Sequence, residues 1–183
     1  ITGDVFDSGK INDEAIKILN AFTPYFPFGV YFCWGNHEYL RNIRSIKESL
    51  RKTSIKVLTN RNITLDIADK KLSIIGVDYP QDRSRFSELA AEYMEEAVKG
   101  IPDGSVKILL AHHSDFIDNA FADNVDLALT GHTHGGQFGL FGVPLLPGFK
   151  YTRGMVHIGS SYGYVHSGNG SWFPMRIGCP PEI

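Results

Sequence analysis

The stretch GHTHGGQ (Gly131–Gln137) follows an apolar segment, residues 125–129, that has the composition of a buried strand. Its two histidines, His132 and His134, are two residues apart, so on an extended chain both side chains project to the same side. Imidazoles placed in this way can ligate one metal ion or two adjacent ions. Paired histidines in a loop can also be merely solvated, so this motif alone leaves both interpretations open.

Three other polar runs follow apolar, strand-like segments in the same way. They are Thr2-Gly3-Asp4, Gly35-Asn36-His37-Glu38 and Ala111-His112-His113. Because sites in open α/β folds collect at the carboxyl ends of strands, these runs and the histidine pair are predicted to meet. The predicted metal donors are Asp4, Asn36, His112, His132 and His134. One carboxylate, one amide and three imidazoles suit Zn²⁺, Mn²⁺ or Fe²⁺ better than Ca²⁺ or Mg²⁺ alone.

The composition excludes several classes of protein. The chain has 183 residues, of which 43% are hydrophobic and 21% charged, as is ordinary for a globular domain. Lys and Arg number 18 against 20 Asp and Glu, and this balance argues against a broad nucleic-acid-binding face. No uninterrupted apolar run is long enough to span a bilayer. The two cysteines do not make a disulfide framework, and Cys33 is predicted to be a buried small hydrophobe.

Hydrophobic periodicity predicts helices that alternate with short strands. Helices are predicted over residues 12–22, 40–52, 85–98 and 115–121. Strands are predicted over residues 29–34, 55–58, 63–67, 72–77, 106–111, 125–130, 155–158, 163–166 and 173–177. This alternation predicts an α/β layered sandwich, and the hairpin-like stretches indicate mixed sheets. No linker interrupts the pattern, so residues 1–183 are expected to form a single domain.

The four polar runs also occur in the order of a known family. Gly3-Asp4, Gly35-Asn36-His37-Glu38, His112 and Gly131-His132-Thr133-His134 resemble the motifs of calcineurin-like metallophosphoesterases. Within that family the chain is most similar to a branch of membrane-associated phosphohydrolases that includes the UDP-2,3-diacylglucosamine hydrolases; residues 131–137 and 176–183 carry this narrower resemblance. The resemblance implies a layered sandwich of two mixed β-sheets flanked by helices, with the activity of a metal-dependent phosphohydrolase.

The resemblance implies a role for each matching residue. Two divalent ions (Mn, Zn or Fe) would be held by Asp4 as a bridge, by Asn36, His112 and His132 at one ion, and by His134 at the other. His37 would act as a general acid on the leaving-group oxygen or would stabilise the transferring phosphoryl group. A hydroxide held between the metals would attack phosphorus in line and cleave a phosphodiester or pyrophosphate. His113 is expected on the substrate side or at the surface.

The chain departs from the family pattern at two places. The family has an Asp-x-His motif on a strand before Gly3-Asp4, and nothing precedes Ile1 in this sequence. We therefore expect an N-terminally truncated domain that lacks its first strand and binds one of the two metals weakly. An upstream segment could carry an anchor, so cytoplasmic and peripheral-membrane locations both stay open. The branch also often has an arginine near Ser167, and Arg153 is predicted to contact phosphate in its place.

An apolar run, residues 138–149, adjoins the histidine pair and contains too much glycine and proline for a helix. It is either a loop packed over the core or a hydrophobic rim that contacts an acyl chain or a membrane. On the second interpretation Leu145 and Leu146 contact a lipid-like substrate.

The sequence leaves two classes of function. The first is the phosphohydrolase, and the alternative is a non-catalytic binding or scaffold module on the same fold. The metal ligands that are present and His37 favour the enzyme, whereas the missing Asp-x-His motif favours the scaffold. Nuclease activity is a weaker third alternative, because the charge balance and the apolar run both argue against a nucleic-acid partner.

Overall fold

Helices and strands alternate along the chain in the computed structural model, which describes residues 1–6, 13–141, 143–145, 148–171 and 175–183. The helices are α1 (Asp13–Phe22), α2 (Asn36–Leu40), α3 (Ile43–Leu50), α4 (Phe86–Ala97) and α5 (Phe116–Ala122). The strands are β1 (Tyr31–Phe32), β2 (Lys56–Val57), β3 (Arg61–Ile67), β4 (Lys70–Gly76), β5 (Val106–Leu110), β6 (Leu127–Thr130), β7 (Gly139–Leu140), β8 (Val143–Pro144), β9 (Gly154–Ile158) and β10 (Ser161–Val165).

The largest sheet within the described residues has six strands in the order β3-β4-β5-β6-β10-β9. Its inner pairs β4–β5, β5–β6 and β6–β10 are parallel. The outer pairs β3–β4 and β9–β10 are antiparallel, because each is a hairpin of consecutive strands. A second, small sheet pairs β1 with β2 in parallel, and β7–β8 is a short hairpin. The predicted mixed α/β fold is confirmed.

The six-stranded sheet and the β1–β2 sheet pack face to face, as the alternation of side chains along β1 and its flanks shows. Tyr31 and Cys33 point to one side and pack with Ile74 of β4 and Leu110 of β5. Successive residues of a strand face opposite sides of its sheet, so this cluster is the layer between the two sheets. Cys33 is fully buried there, and burial raises the pKa of its thiol to about 12.

The outer faces of the two sheets are covered by helices. Phe32 and Trp34, on the other side of β1, pack with Ile46 of α3. On the far side of the six-stranded sheet, α4 and α5 supply a second core that contains Met94 and Phe116. The molecule is therefore layered as helix, sheet, sheet, helix, and the carboxyl ends of β1, β5 and β6 open toward the polar runs that follow them.

One predicted helix is wrong in its extent. Residues 40–52 were expected to be a single helix, but α2 ends at Leu40 and α3 begins at Ile43. The break follows from Asn42, whose side-chain oxygen accepts a hydrogen bond from the Ser45 amide (3.2 Å) and so caps α3. The predicted strand 173–177 falls partly outside the described residues, and Ile177 forms a single bridge with Phe138.

Replacing Phe116 by alanine tests the core that supports the six-stranded sheet. Phe116 is fully buried, so Phe116→Ala should lower the free energy of unfolding by about 3–5 kcal/mol. Phe141→Ala is the matched control, because that ring is 95% exposed. Urea denaturation measures both variants, and equal stabilities of the two would contradict the assigned core.

Candidate metal centre

The predicted ligands lie where strands end. His112 follows β5 and His132 follows β6 by two residues, and these strands are parallel neighbours. Asn36 is the first residue of α2, a short distance after β1. Residues 1–3 lie beside β1, because the Ile1 amino group donates to the Tyr31 carbonyl (2.7 Å) and the Cys33 amide donates to the Ile1 carbonyl (3.1 Å). This pairing delivers Asp4 to the same edge.

Asp4, His112 and His132 bring one ligand atom each within 4.8 Å of one another. Nε2 of His112 is at the centre of the group. It lies 3.0 Å from Oδ2 of Asp4, 3.0 Å from Nδ1 of His132 and 3.1 Å from Oδ1 of Asn36. Four of the five predicted ligands are thus in direct contact around one point.

The hydrogen bonds of His112 make this cluster suited to a cation. Nδ1 of His112 lies 2.7 Å from the Thr2 carbonyl, which can only accept, so Nδ1 carries the proton. Nε2 faces the Asp4 carboxylate, the Asn36 carbonyl oxygen and a ring nitrogen of His132, and without a second proton it presents a lone pair to these groups. A divalent cation satisfies all these donors at once, whereas one proton on Nε2 satisfies one neighbour only.

Burial opposes protonation of His132 and His113. Burial, followed by the nearby His112 and His113, lowers the pKa of His132 to about 2. Burial also lowers the pKa of His113 to about 4. For Asp4 burial is the largest influence and opposes ionisation, but the hydrogen bond to His112 and its other interactions outweigh it and lower the pKa. His132 is therefore a neutral imidazole and Asp4 an ionised carboxylate, the forms that ligate metals.

His134 lies in the same cavity as the cluster, whose volume is about 700 Å³, but is not a member of the close group of three. Its Nδ1 lies 3.2 Å from the Gly170 carbonyl, so Nδ1 carries the proton and Nε2 is the ring nitrogen that can ligate. Burial, the leading cause, lowers its pKa. The predicted role of His134 at a second ion stays a prediction.

Two residues near the carboxyl end support the His134 loop. The Arg176 guanidinium donates to the carbonyls of His134 (3.1 Å), Ser167 (2.8 Å) and Gly170. Cys179 is buried and its Sγ donates to the His134 carbonyl (3.2 Å). The guanidinium of Arg176 thus lies at the turn that contains Ser167, where the family resemblance led us to expect Arg153. Arg176 contacts backbone carbonyls there.

His37 lies at the edge of the group. Its backbone amide donates to Oδ1 of Asp4 (2.9 Å), and its ring Nε2 is 3.9 Å from Oδ2 of the same carboxylate. A quarter of its side chain is exposed. His37 therefore reaches both solvent and the cluster, as a group that exchanges a proton with a ligand must.

The Glu38 side chain links two loops of the site. Its fully buried carboxylate accepts hydrogen bonds from four backbone amides at 2.8–3.1 Å: those of Asp4, Val5, Phe6 and Gly35. It joins the loop that carries Asp4 to the loop that carries Asn36. The sequence predicts that Glu38 orients a neighbour or caps the helix, and its contact with the Gly35 amide is such a cap, but its contacts with the amides of residues 4–6 were not predicted.

The two loops approach so closely that both need glycine. A Cβ atom on Gly3 would lie 2.5 Å from the Gly35 amide nitrogen, and one on Gly35 would lie 2.2 Å from Oδ1 of Asp4. Three of the predicted ligands also adopt left-handed backbone conformations, namely Asp4 (φ 54°), His132 (φ 69°) and His134 (φ 51°). Non-glycine residues adopt such conformations at a cost of about 1–3 kcal/mol each, and they cluster at functional sites.

A further link holds α2 in place. The Tyr39 hydroxyl donates to both carboxylate oxygens of Asp78 (2.6 and 2.8 Å), and Asp78 follows β4. No partner for Asp78 could be predicted from the sequence. This contact fixes the helix that begins with Asn36 and His37 against the six-stranded sheet.

The predicted substrate contacts are not part of this group. Leu145 is 58% exposed and follows the β7–β8 hairpin. Leu146 lies outside the described residues. Arg153 precedes β9, and among the described residues it does not line the cavity that contains His112. The proposed roles of these three residues stay predictions.

Comparison with known proteins gives the family. The model of the calcineurin-like phosphoesterase family matches residues 1–136. The whole chain is 33% identical to part of an uncharacterized metallophosphoesterase of Campylobacter jejuni, of which it covers 48%. It is 31% identical to one of Aquifex aeolicus, of which it covers 69%. The chain belongs to the calcineurin-like phosphoesterase family.

The fold comparison agrees with this assignment. The structure of the NAD nucleotidase of Haemophilus influenzae superposes with a TM-score of 0.51 over 91% of this chain and 39% of that one, at 18% identity. At that identity the likeness concerns the fold. The chain spans about half the length of the Campylobacter relative that it matches. Within the described residues no helix is both long and apolar enough to cross a bilayer.

Replacing Glu38 by glutamine tests the junction of the two loops. The amide group of glutamine would face two of the four N–H donors, so Glu38→Gln should lower the free energy of unfolding by about 3 kcal/mol. It should also weaken Mn²⁺ binding. Urea denaturation and calorimetry measure the two effects, with the exposed Glu48→Gln as control. Equal stability of the two variants would refute this role.

Proposed function

We propose that this chain forms the catalytic centre of a metal-dependent hydrolase that cleaves a phosphodiester or pyrophosphate with two divalent ions. The observation that carries the proposal is the convergence of Asp4, Asn36, His112 and His132 on one point. Membership of the calcineurin-like phosphoesterase family supports it. The mixed nitrogen and oxygen ligands favour Mn²⁺, Zn²⁺ or Fe²⁺.

The proposed ligands form two adjacent metal sites. Asp4, Asn36, His112 and His132 would hold one ion, and His134 would hold the second together with Asp4. When bound, such ions neutralise charge on phosphoryl oxygens and lower the pKa of a coordinated water. These ligands lie in segments that follow strands or pair with one, and from there they would position the phosphoryl group for in-line attack.

His37 is the proposed general acid. Its backbone amide is tied to Asp4, so the ring cannot move far from the place where the scissile phosphoryl group would bind. Its partial exposure leaves the ring able to exchange protons with solvent. Protonation of the leaving-group oxygen by His37 avoids the release of a charged alkoxide.

The hairpin β7–β8 supports a substrate of lipid-like character, as in the branch that includes the UDP-2,3-diacylglucosamine hydrolases. The packed-loop alternative does not hold for its tip, because Phe141 is 95% exposed and Val143 is 64% exposed. An apolar hairpin beside a polar metal centre suits an amphipathic ligand or the surface of a membrane. This part of the proposal includes peripheral membrane contact and no nucleic-acid partner.

Loss of a ligand tests the hydrolase. His132→Ala removes an imidazole that contacts His112, so Mn²⁺- or Zn²⁺-stimulated hydrolysis of bis(p-nitrophenyl) phosphate should fall to background. His157→Ala, on the exposed strand β9, is the control and should retain activity. Full activity of His132→Ala would refute the assignment, and failure of the unchanged protein to bind any divalent ion would favour the non-catalytic scaffold.

Loss of an exposed leucine tests the lipid contact. Leu145→Ser should weaken binding to liposomes or lower turnover of an acylated phosphodiester, because it removes exposed apolar surface from the hairpin. Ile158→Ser, exposed on β9, is the control for a general loss of apolar surface. Sedimentation with liposomes and a turnover assay measure both. Unchanged values for Leu145→Ser in the two assays would remove the lipid interpretation.

A further inference from the structure

A second cavity adjoins His132, a member of the metal cluster. Its volume is about 640 Å³, close to the 700 Å³ of the cavity that contains Asp4 and His112. His132 lines both cavities. A molecule whose phosphoryl group is held by the cluster could therefore place an attached group in the second cavity without crossing a long stretch of protein.

The walls of this second cavity are aromatic. The rings that line it belong to Tyr79, Phe86, His113, His132, Phe138 and Phe149. The His113 ring is central, with centroid distances of 4.5 Å to Phe86 and 5.4 Å to Phe149. The Phe149 ring also packs edge-on against His132 at 5.3 Å. These contacts hold the rings in fixed relative orientations.

The described lining also lacks the aliphatic side chains that would surround an acyl chain in an ordinary core. Among the described lining residues none is Val, Leu, Ile or Met. The charged side chains among them are Arg83 and Asp115, and Asp115 lies beside His113, whose Nδ1 accepts from the Asp115 amide (3.2 Å). The other described lining residues are small or polar, such as Ser87 and Thr133. Among the described residues, the apolar surface of the cavity is thus almost entirely aromatic.

We propose that this cavity, named the aromatic cavity here, binds a planar aromatic group esterified to the phosphate that the metal cluster holds. The inference rests on the proposed hydrolase and names one class of its substrates. Ring faces and edges attract another ring beyond the area that they bury, whereas a flexible acyl chain gains only from burial. An acyl chain would instead contact the exposed β7–β8 hairpin.

The position of Arg83 adds to this assignment. It lines the aromatic cavity and lies near enough to His113 and His132 to oppose their protonation. A guanidinium at an aromatic cavity can stack on a planar ligand or pair with an anionic substituent. Both contacts favour a flat, electron-rich group over a saturated chain.

Binding of three phosphonates to the full chain with Mn²⁺ tests the inference. Methylphosphonate reports on the metal cluster alone, naphthylmethylphosphonate adds an aromatic group, and n-octylphosphonate adds an aliphatic chain. We expect naphthylmethylphosphonate to bind about tenfold more tightly than methylphosphonate and more tightly than n-octylphosphonate. Calorimetry measures all three. A preference for the octyl compound over the naphthyl compound would overturn the proposal.

Two substitutions at one position separate ring contacts from bulk. Phe149→Ala should lower the naphthyl-to-methyl affinity ratio about tenfold, and Phe149→Leu, which keeps apolar volume, should recover only part of it. Phe86→Leu provides a second site in the same wall. Phe141→Ala, 95% exposed on the hairpin, should leave the ratio unchanged. An unchanged ratio in both Phe149 variants would count against the aromatic cavity.

A metal-free measurement distinguishes failure of this inference from failure of the proposed function. Naphthol carries no phosphoryl group, so its binding to the metal-free chain, followed by its fluorescence, reports on the aromatic cavity alone. If methylphosphonate does not bind with Mn²⁺ but naphthol binding depends on Phe149, the hydrolase is refuted and the cavity assignment stands. If naphthol binding does not depend on Phe149, the cavity assignment is refuted whatever the hydrolytic activity.

Discussion

The carboxylate of Glu38 is the constraint on which the site depends. A buried charge is unfavourable unless hydrogen bonds compensate it, and here four backbone amides from two separate loops do so. The loops must then approach closely, which requires Gly3 and Gly35 and leaves Asp4 in a left-handed conformation. A single side chain thereby fixes the distance between two metal ligands that are 32 residues apart in sequence, Asp4 and Asn36.

The layered packing sets the electrostatics of the same region. Sheet faces bury His112 and His132 at the ends of β5 and β6, and burial keeps His132 neutral well below physiological pH. Burial also places several lone-pair donors close together with few protons between them. Without a bound ion, the repulsion among these donors is unfavourable. The protein tolerates this arrangement because the parallel pairing of β5 with β6 and the contacts of Arg176 and Tyr39 hold the surrounding loops.

The sequence was sufficient for the part of the site that follows from strand order. His112 and His132 each follow an apolar strand, and the carboxyl ends of parallel neighbours must meet, so their contact could be predicted. The contacts of Glu38, Arg176 and Cys179 could not, because they join segments whose separation in space depends on how loops pack. The helix predicted over residues 40–52 is shorter in the structure, Ile43–Leu50, because the Asn42 side chain caps its start.

His132 is the common wall of the two cavities, and this has a thermodynamic consequence. If its ring nitrogen ligates an ion while the ring packs against Phe149, His132 cannot shift for one occupant without altering the fit for the second. If an organic occupant changes the affinity for the ion by some factor, thermodynamic linkage requires that the ion change the affinity for the organic occupant by the same factor. Selectivity for the ion and selectivity for the organic group would then evolve together through one imidazole.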